Sequence, residues 1–264
     1  MPCCSVYGWC GSTVDYCGAN CYLAGSYLGS GCLNSEPISP PEPACEHVQY
    51  NLATSHIVYD GNSTDGADFI VSGSYALNGD TVTLKMSKPN TGTSMYSTKL
   101  ITYGRISADI KTSRTGGVVT SFILQAQDLD EIDFEWVGYN LNSTQTNWFK
   151  YGQFPPPPAS NADFLPSRDT FADFHTYTVD WSPKRIQWLI DGKVERELNT
   201  GNPSIFPSSQ SRVGFGIWDG GSGAEGTREW SGGPVNFQSE DMLTQGYFGA
   251  KFKNIVFECT SQPW

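Results

Sequence analysis

The stretch Asp130-Glu131-Ile132-Asp133-Phe134-Glu135-Trp136 carries four acids in seven residues, three of them at alternate positions. In an extended strand Glu131, Asp133 and Glu135 face one side, and Ile132, Phe134 and Trp136 the other. Three carboxylates in a row repel one another, and β-propensity disfavours Asp and Glu. A merely solvated face would more often carry Thr, Lys or Ser, whereas a functional cleft explains the cost. Positions i and i+4 of a strand lie about 13 Å apart at Cα. Two Glu side chains leaning together across a curved strand close most of that gap, toward the roughly 5–5.5 Å of a retaining glycosidase pair. The shorter Asp133 can hydrogen-bond either neighbour, and its charge is expected to help keep the proton on the acid. An inverting pair needs a wider gap, and a metal site would want His among its ligands. No metal and no cofactor are expected.

A strand that holds such a face needs a sheet around it. Short alternating runs separated by Gly, Asn, Asp and Pro recur along the chain, among them 80–86, 103–110, 118–124, 175–181, 185–190 and 212–218. Their period of two, without a long 3.6-residue pattern, predicts an all-β fold, an antiparallel β-sandwich. Asp191-Gly192 predicts a tight hairpin turn. Phe154 and the four prolines after it predict an exposed loop, since prolines cannot sit in a sheet ladder.

The chain has 264 residues, 16 Lys+Arg against 27 Asp+Glu and a net charge of −11, a balance that argues against nucleic acid and anionic membrane surfaces. No apolar run approaches the roughly 18–20 residues of a membrane span. Six of the eight cysteines, Cys3, Cys4, Cys10, Cys17, Cys21 and Cys32, fall in the first 32 residues. A segment this short cannot build a core, and the adjacent Cys3-Cys4 pair without His favours disulfides over zinc and hence an oxidising compartment. Prolines at 37, 40, 41 and 43 make an extended spacer. The expected organisation is a small disulfide-rich module over 1–32, a Pro-rich linker over 33–44 and a catalytic domain over 45–264. Cys45 and Cys259 flank the first and last predicted strands, and a disulfide between them is expected to join the ends of that domain. Two sequons, at Asn62 and Asn142, are compatible with secretion. The opening Met1-Pro2-Cys3-Cys4 lacks the charged and apolar regions of a signal peptide, so a leader is expected to have been removed or to lie outside the chain as given.

Candidate stacking platforms for sugar faces are Trp148, Phe149, Tyr151, Trp218 and Trp230. Gln125, Asn147, Lys150, Asp219 and Arg228 could hydrogen-bond hydroxyls. Trp218 and Trp230 stand out because Gly-rich sequence surrounds them. His175 is expected to be structural, and His47 and His56 are assigned no role.

Glu131-Ile-Asp-Phe-Glu135 matches the E-x-D-x-E motif of glycoside hydrolase family 16. The match continues through Gln145-Thr-Asn-Trp-Phe149, Phe174-His-Thr-Tyr-Thr-Val-Asp-Trp181, Ile190-Asp-Gly192, Phe206-Pro207 and Ile217-Trp218. These pieces resemble xyloglucan endotransglycosylases. With Asp130 through Trp136 and Gly226-Thr-Arg-Glu-Trp-Ser-Gly-Gly233, the chain is closer still to fungal Crh-type cell-wall transglycosylases, over about residues 45–260. The resemblance implies a concanavalin-like jelly roll with a concave groove and retaining chemistry. It assigns Glu131 as nucleophile, Glu135 as acid/base and Asp133 as helper. It further implies a secreted, monomeric enzyme of the fungal cell wall with chitin and β-glucan as its polysaccharide partners. Plain hydrolysis of β-1,3-1,4-glucan or chitin, and an inactive chitin-binding lectin, are the alternatives. One residue between each acid suits a regular strand, whereas members with an extra residue, chiefly endo-β-1,3-glucanases, would bulge there.

Cys3 through Cys17 resembles the hevein-type chitin-binding module, carbohydrate-binding module family 18. By that resemblance Ser5, Tyr7, Trp9 and Tyr16 bind N-acetylglucosamine, Cys3 pairs with Cys17, and Cys21 with Cys32. The pattern leaves Cys4 and Cys10 without their usual partners, either bonded to each other or as thiols.

Overall fold

The computed structural model describes residues 3–4, 10–11, 47–153, 163–166, 169–202 and 205–259, with 3–4, 10–11 and 163–166 described as backbone alone. Near the start, β1 (Cys3–Cys4) and β2 (Cys10–Gly11) form a small antiparallel pair that places Cys4 opposite Cys10. Ser5, Tyr7, Trp9, Tyr16, the pairings Cys3–Cys17 and Cys21–Cys32, the linker, Cys45 and the proline run after Phe154 lie outside the described residues. Cys259 itself is disulfide-bonded.

The chain then runs through β3 (Val48–Tyr50), β4 (Ile57–Tyr59), β5 (Phe69–Ser72), β6 (Ser74–Asn78), β7 (Thr81–Met86) and β8 (Gly92–Ile101). Next come β9 (Gly104–Lys111), β10 (Val118–Ala126), β11 (Glu131–Val137), β12 (Ser143–Phe149) and β13 (Asp163–Pro166). The last are β14 (His175–Trp181), β15 (Arg185–Ile190), β16 (Lys193–Asn199), β17 (Ser211–Asp219) and β18 (Phe248–Glu258). One sheet orders them β13-β12-β11-β10-β17-β8-β5-β4, the other β16-β15-β14-β9-β18-β7-β6, with β3 added on β18. Apart from the parallel pair β4–β5, the pairings are antiparallel. The period-two runs therefore became the two leaves of a sandwich. Asp191 and Gly192 both take positive φ, 50° and 80°, which lets β15 and β16 join through a two-residue turn.

Two short helices were not expected: α1 (Glu225–Trp230) and α2 (Glu240–Gln245), six residues each. Fewer than two turns leave no 3.6-residue periodicity to read, and Gly226 inside α1 disguises it as loop. Among the described residues no helix is long and apolar enough to cross a membrane. The Asn side chains of both sequons sit on exposed residues.

The inner faces interlock through aromatic rings. Phe122 stacks between Phe134 at 5.9 Å and Phe215 at 5.2 Å, and Trp136 and Phe134 both meet the edge of Tyr177 from the opposite sheet. All of these rings are buried. Two polar ties also cross the sandwich toward β11 and β12. Trp188 donates its indole N–H to the Asp133 carbonyl at 2.9 Å, and buried Arg196 reaches the Thr146 carbonyl at 2.8 Å. Arg196 lies 4.6 Å above the Trp188 ring, so each side chain fixes the other.

Asp130 pins the entry to β11. It is fully buried, and its Oδ2 accepts from Lys150 Nζ at 2.7 Å, Ser208 N at 2.8 Å and Ser209 N at 3.2 Å. Its Oδ1 accepts from Tyr151 N at 3.0 Å. Removing one partner of a buried ion pair strands the other, so Asp130→Ala is expected to cost about 3–5 kcal/mol. Urea denaturation measures it; a loss under about 1 kcal/mol, as for a surface pair, contradicts this role.

Candidate active site

β11 pairs in unbroken register with β10 on one side and β12 on the other. The strand is regular, as one residue between each acid requires. Ile132, Phe134 and Trp136 enter the core, which commits Glu131, Asp133 and Glu135 to the other face. Register then lays that face out in rows. Phe149, Glu131 and Gln125 form one row; Asn147, Asp133, Ile123, Gly214 and Tyr96 the next. The third runs Gln145, Glu135, Ser121, Gly216, Ser94, Ser72.

That third row is a trough of small side chains leading away from Glu135. It opens into a cleft of about 350 Å³ lined by Glu131, Glu135, Ser121, Tyr96, Ser94, Ser72 and Trp218 among others. A volume of this order suits one or two sugar rings in an open groove. Gly216 lies in its floor, and Gly214, one row over, lies beneath Tyr96. A Cβ on Gly216 would stand 2.6 Å from Ser121 Oγ, and one on Gly214 2.5 Å from the Tyr96 ring. Trp218 walls the cleft and stacks on Trp230 at the end of α1, with ring centroids 6.0 Å apart and 26° between planes.

The three acids are not equivalent. Gln125 donates to Glu131 Oε2 at 2.7 Å. Asp133, 2% exposed, is pushed well above the usual carboxylate range by burial, then by the charges of Glu131 and Glu135, and by a hydrogen bond shared with Glu131. A protonated Asp133 therefore donates to Glu131, which receives two donors. Glu135 is raised to about 7 by burial and by the Glu131 charge. The expectation had the Asp133 charge help keep the proton on Glu135; the causes that raise Glu135 are instead burial and the Glu131 charge, while Asp133 is itself raised and hydrogen-bonded to Glu131.

The structure also sorts the candidate binding residues. Gln125, Asn147 and Phe149 lie on the carboxylate face, in line with Glu131 or Asp133. Asn147 accepts a hydrogen bond from Trp148 N. Trp148 is a correction: it is fully buried on the core side against Phe206, centroids 5.1 Å apart, and no sugar can stack on it. Lys150 is another, because its ammonium is spent on Asp130 and Ser208. Asp219 is a third. It is 8% exposed and caps the turn at Gly220–Ser222, accepting from Ser222 N at 3.0 Å and Asn90 N at 2.9 Å. Arg228 is exposed on α1 and donates to the Gly223 carbonyl. Tyr151 is exposed, with Lys150 Nζ over its ring at 4.2 Å. His175 bonds Asp191 at the hairpin, 2.8 Å away.

Sequence reasoning passed over the serine–glycine trough, Tyr96 and Gln145. The signal for the trough was present in Gly214-Phe215-Gly216, whose alternation clears one face of β17 of side chains while filling the core with the other.

The chain is 37% identical over 278 residues to Crh-like protein 2 of Aspergillus fumigatus, covering 99% of this chain and 60% of that protein. It is 37% identical over 271 residues to Crh-like protein UTR2 of Candida albicans, covering 96% of this chain and 55% of that protein. The chain thus spans a little over half the length of these curated relatives. The solved Crh5 transglycosylase in complex with NAG superposes with a TM-score of 0.70 at 25% identity, over 84% of this chain and 86% of that one. Residues 64–253, which hold the carboxylate strand, its neighbours and the trough, match the profile of the glycosyl hydrolases family 16, and the chain belongs to that family.

Proposed function

We propose that this chain is a retaining endo-transglycosylase of the fungal cell wall that cleaves chitin and passes the cut chain to β-glucan or to another chitin chain. The observation that carries the reading is the division of protonation along one strand face. Glu131 is held by two donors, and Glu135, two positions beyond Asp133, is held protonated up to about 7. Retaining glycoside chemistry needs this pair. Glu131 attacks the anomeric carbon while Glu135 gives its proton to the leaving oxygen, and a glycosyl-enzyme forms at Glu131. Glu135 then takes the proton of an incoming hydroxyl, which attacks the anomeric carbon and releases Glu131.

The nature of that hydroxyl decides between transfer and hydrolysis. A sugar held against the Trp218–Trp230 wall has a high effective concentration beside the intermediate, and its bulk excludes water. The Crh-like relatives, and the similarity to a Crh5 transglycosylase solved with NAG, support transfer and an N-acetylglucosamine polymer as donor. The N-terminal module, with Ser5, Tyr7, Trp9 and Tyr16 as its sugar-binding residues, would tether the enzyme to chitin.

Glu131→Gln and Glu135→Gln are each expected to lower turnover of chito-oligosaccharides by several orders of magnitude, and Asp133→Asn to weaken it less. Substantial activity in Glu131→Gln contradicts the assignment. Because Glu135 must begin protonated, kcat/KM is expected to fall as pH rises through about 7. Stability carries the same sign: a proton that the folded protein keeps and the unfolded chain releases favours folding less as pH climbs from about 4.5 to about 7. Glu135→Gln should flatten that slope in thermal melts across the interval. With labelled chito-oligosaccharide and abundant acceptor, wild-type products longer than the donor should dominate. Trp218→Ala should shift them toward shorter, hydrolysed chains more than it slows donor cleavage. Shortened products alone from the wild-type protein would assign a hydrolase instead.

A further inference from the structure

Gln145 sits directly across from Glu135 in the β11–β12 ladder, so both side chains stand on the carboxylate face. It is 4% exposed, and its Oε1 accepts from the Trp230 indole N–H at 2.6 Å. An indole nitrogen can only donate, so the atom it reaches must be the amide oxygen. That contact fixes the other end of the amide: Nε2 is the nitrogen, it is buried, and it has no hydrogen-bond partner. A buried N–H left unpaired is costly, and such an atom beside a catalytic carboxylate calls for an explanation. The explanation lies in the carboxylate's two states. While Glu135 carries its proton it is neutral and a weak acceptor; once ionised it becomes a strong one, and a charge-assisted bond is worth about twice a neutral one.

We infer that Gln145 is a positioning residue for the acid/base: its amide, oriented by Trp230, supplies the hydrogen bond that Glu135 takes up after giving its proton away. The inference rests on the reading of Glu135 as acid/base. It adds that the Trp218–Trp230 wall and the proton-transfer group are joined through a single amide. Among the described residues, few other charges bear on Glu135. Glu131 and Asp133 share its strand, while β10 offers Ser121 and β17 offers Gly216, neither titratable. The charged residues of α1, Glu225, Arg228 and Glu229, are all exposed.

The test is the pH dependence of kcat/KM for Gln145→Met, which keeps the shape and removes the amide, and for Trp230→Phe, which keeps one aromatic ring against Trp218 and removes the indole N–H together with the second ring. Losing a donor to the ionised form makes Glu135 harder to ionise. The high-pH limb of Gln145→Met should therefore move upward by roughly one pH unit. Its glycosyl-enzyme should accumulate under intact-protein mass spectrometry, because a base that stays protonated deprotonates the acceptor slowly. Trp230→Phe should move the limb the same way by less, and it decides the matter if Gln145→Met does not fold. A slower enzyme with an unmoved limb in both variants makes Gln145 merely structural and overturns the inference. Glu135→Gln is measured alongside. If it retains turnover, the acid/base reading itself fails; if it is inactive while the limb stays put, the failure belongs to Gln145 alone.

Discussion

Everything at this site follows from three carboxyl groups sharing one half-covered strand face. Side chains on one face of a strand stand about 6.6–7 Å apart. At an effective dielectric of about 20, each adjacent ionised pair would repel by roughly 2–3 kcal/mol. Three charges in a row are therefore untenable. The structure resolves this by pushing the middle acid, the most buried of the three, well above the usual carboxylate range, and by raising Glu135 to about 7. The result is one carboxylate with two donors aimed at it and, two positions beyond its neutral neighbour, an acid that still holds its proton. No added charge or metal is required for that asymmetry; burial and order along the strand are enough. Asp133 matters most through its burial, which makes it reluctant to ionise and so lets the acids on either side differ.

Such an arrangement tolerates little slack in the strand, and the packing shows where rigidity comes from. Phe134 and Trp136 are gripped by rings above and beside them, while the backbone at Asp133 is held from the opposite sheet by the Trp188 indole. Arg196 holds β12 at Thr146 and covers Trp188, so the clamp is one unit. Asp130 fixes the strand's beginning with a lysine and three backbone N–H groups. Lys150 and Asp219, which look from sequence like sugar ligands, are part of this framework. Their polar ends are consumed by the loops that frame the groove.

The carboxylate strand was legible because three independent patterns coincide in seven residues: alternation, acidity and a large apolar opposite face. The sandwich was legible for the same reason repeated across many runs, and Asp191-Gly192 named its own turn. What was not legible has physical causes too. Trp148 is aromatic, near the acids and one residue from Asn147, yet parity puts it on the core face; only the register with Ile132 reveals this. Counting by two from Glu135 along a hairpin fails when the turn's residues are unknown. The role of Asp133 depended on burial, which composition does not encode. Helix α1 is too short to have a period, and its one decisive contact, Trp230 to Gln145, spans 85 residues.

That long-range contact ties together the two halves of the groove. On β17 the outward face reads Gly214, Gly216, Trp218, so from Gly216 a single strand passes from bare floor to wall within three residues. Neither glycine has room for a Cβ: Ser121 crowds Gly216 in the floor, and Tyr96 covers Gly214 beside it. The wall must be braced because a lone indole at a strand's end would swing, and Trp230 supplies the brace by stacking on it. Trp230 could be anchored by any buried acceptor, yet the one it uses belongs to the residue facing Glu135. On the proposed reading, an acceptor sugar that pressed on the wall would press on the amide beside Glu135 as well. Geometry that only bound sugar would not need this link, whereas an enzyme that must hold an acceptor and deprotonate it in one event gains from having both tasks share one rigid connection.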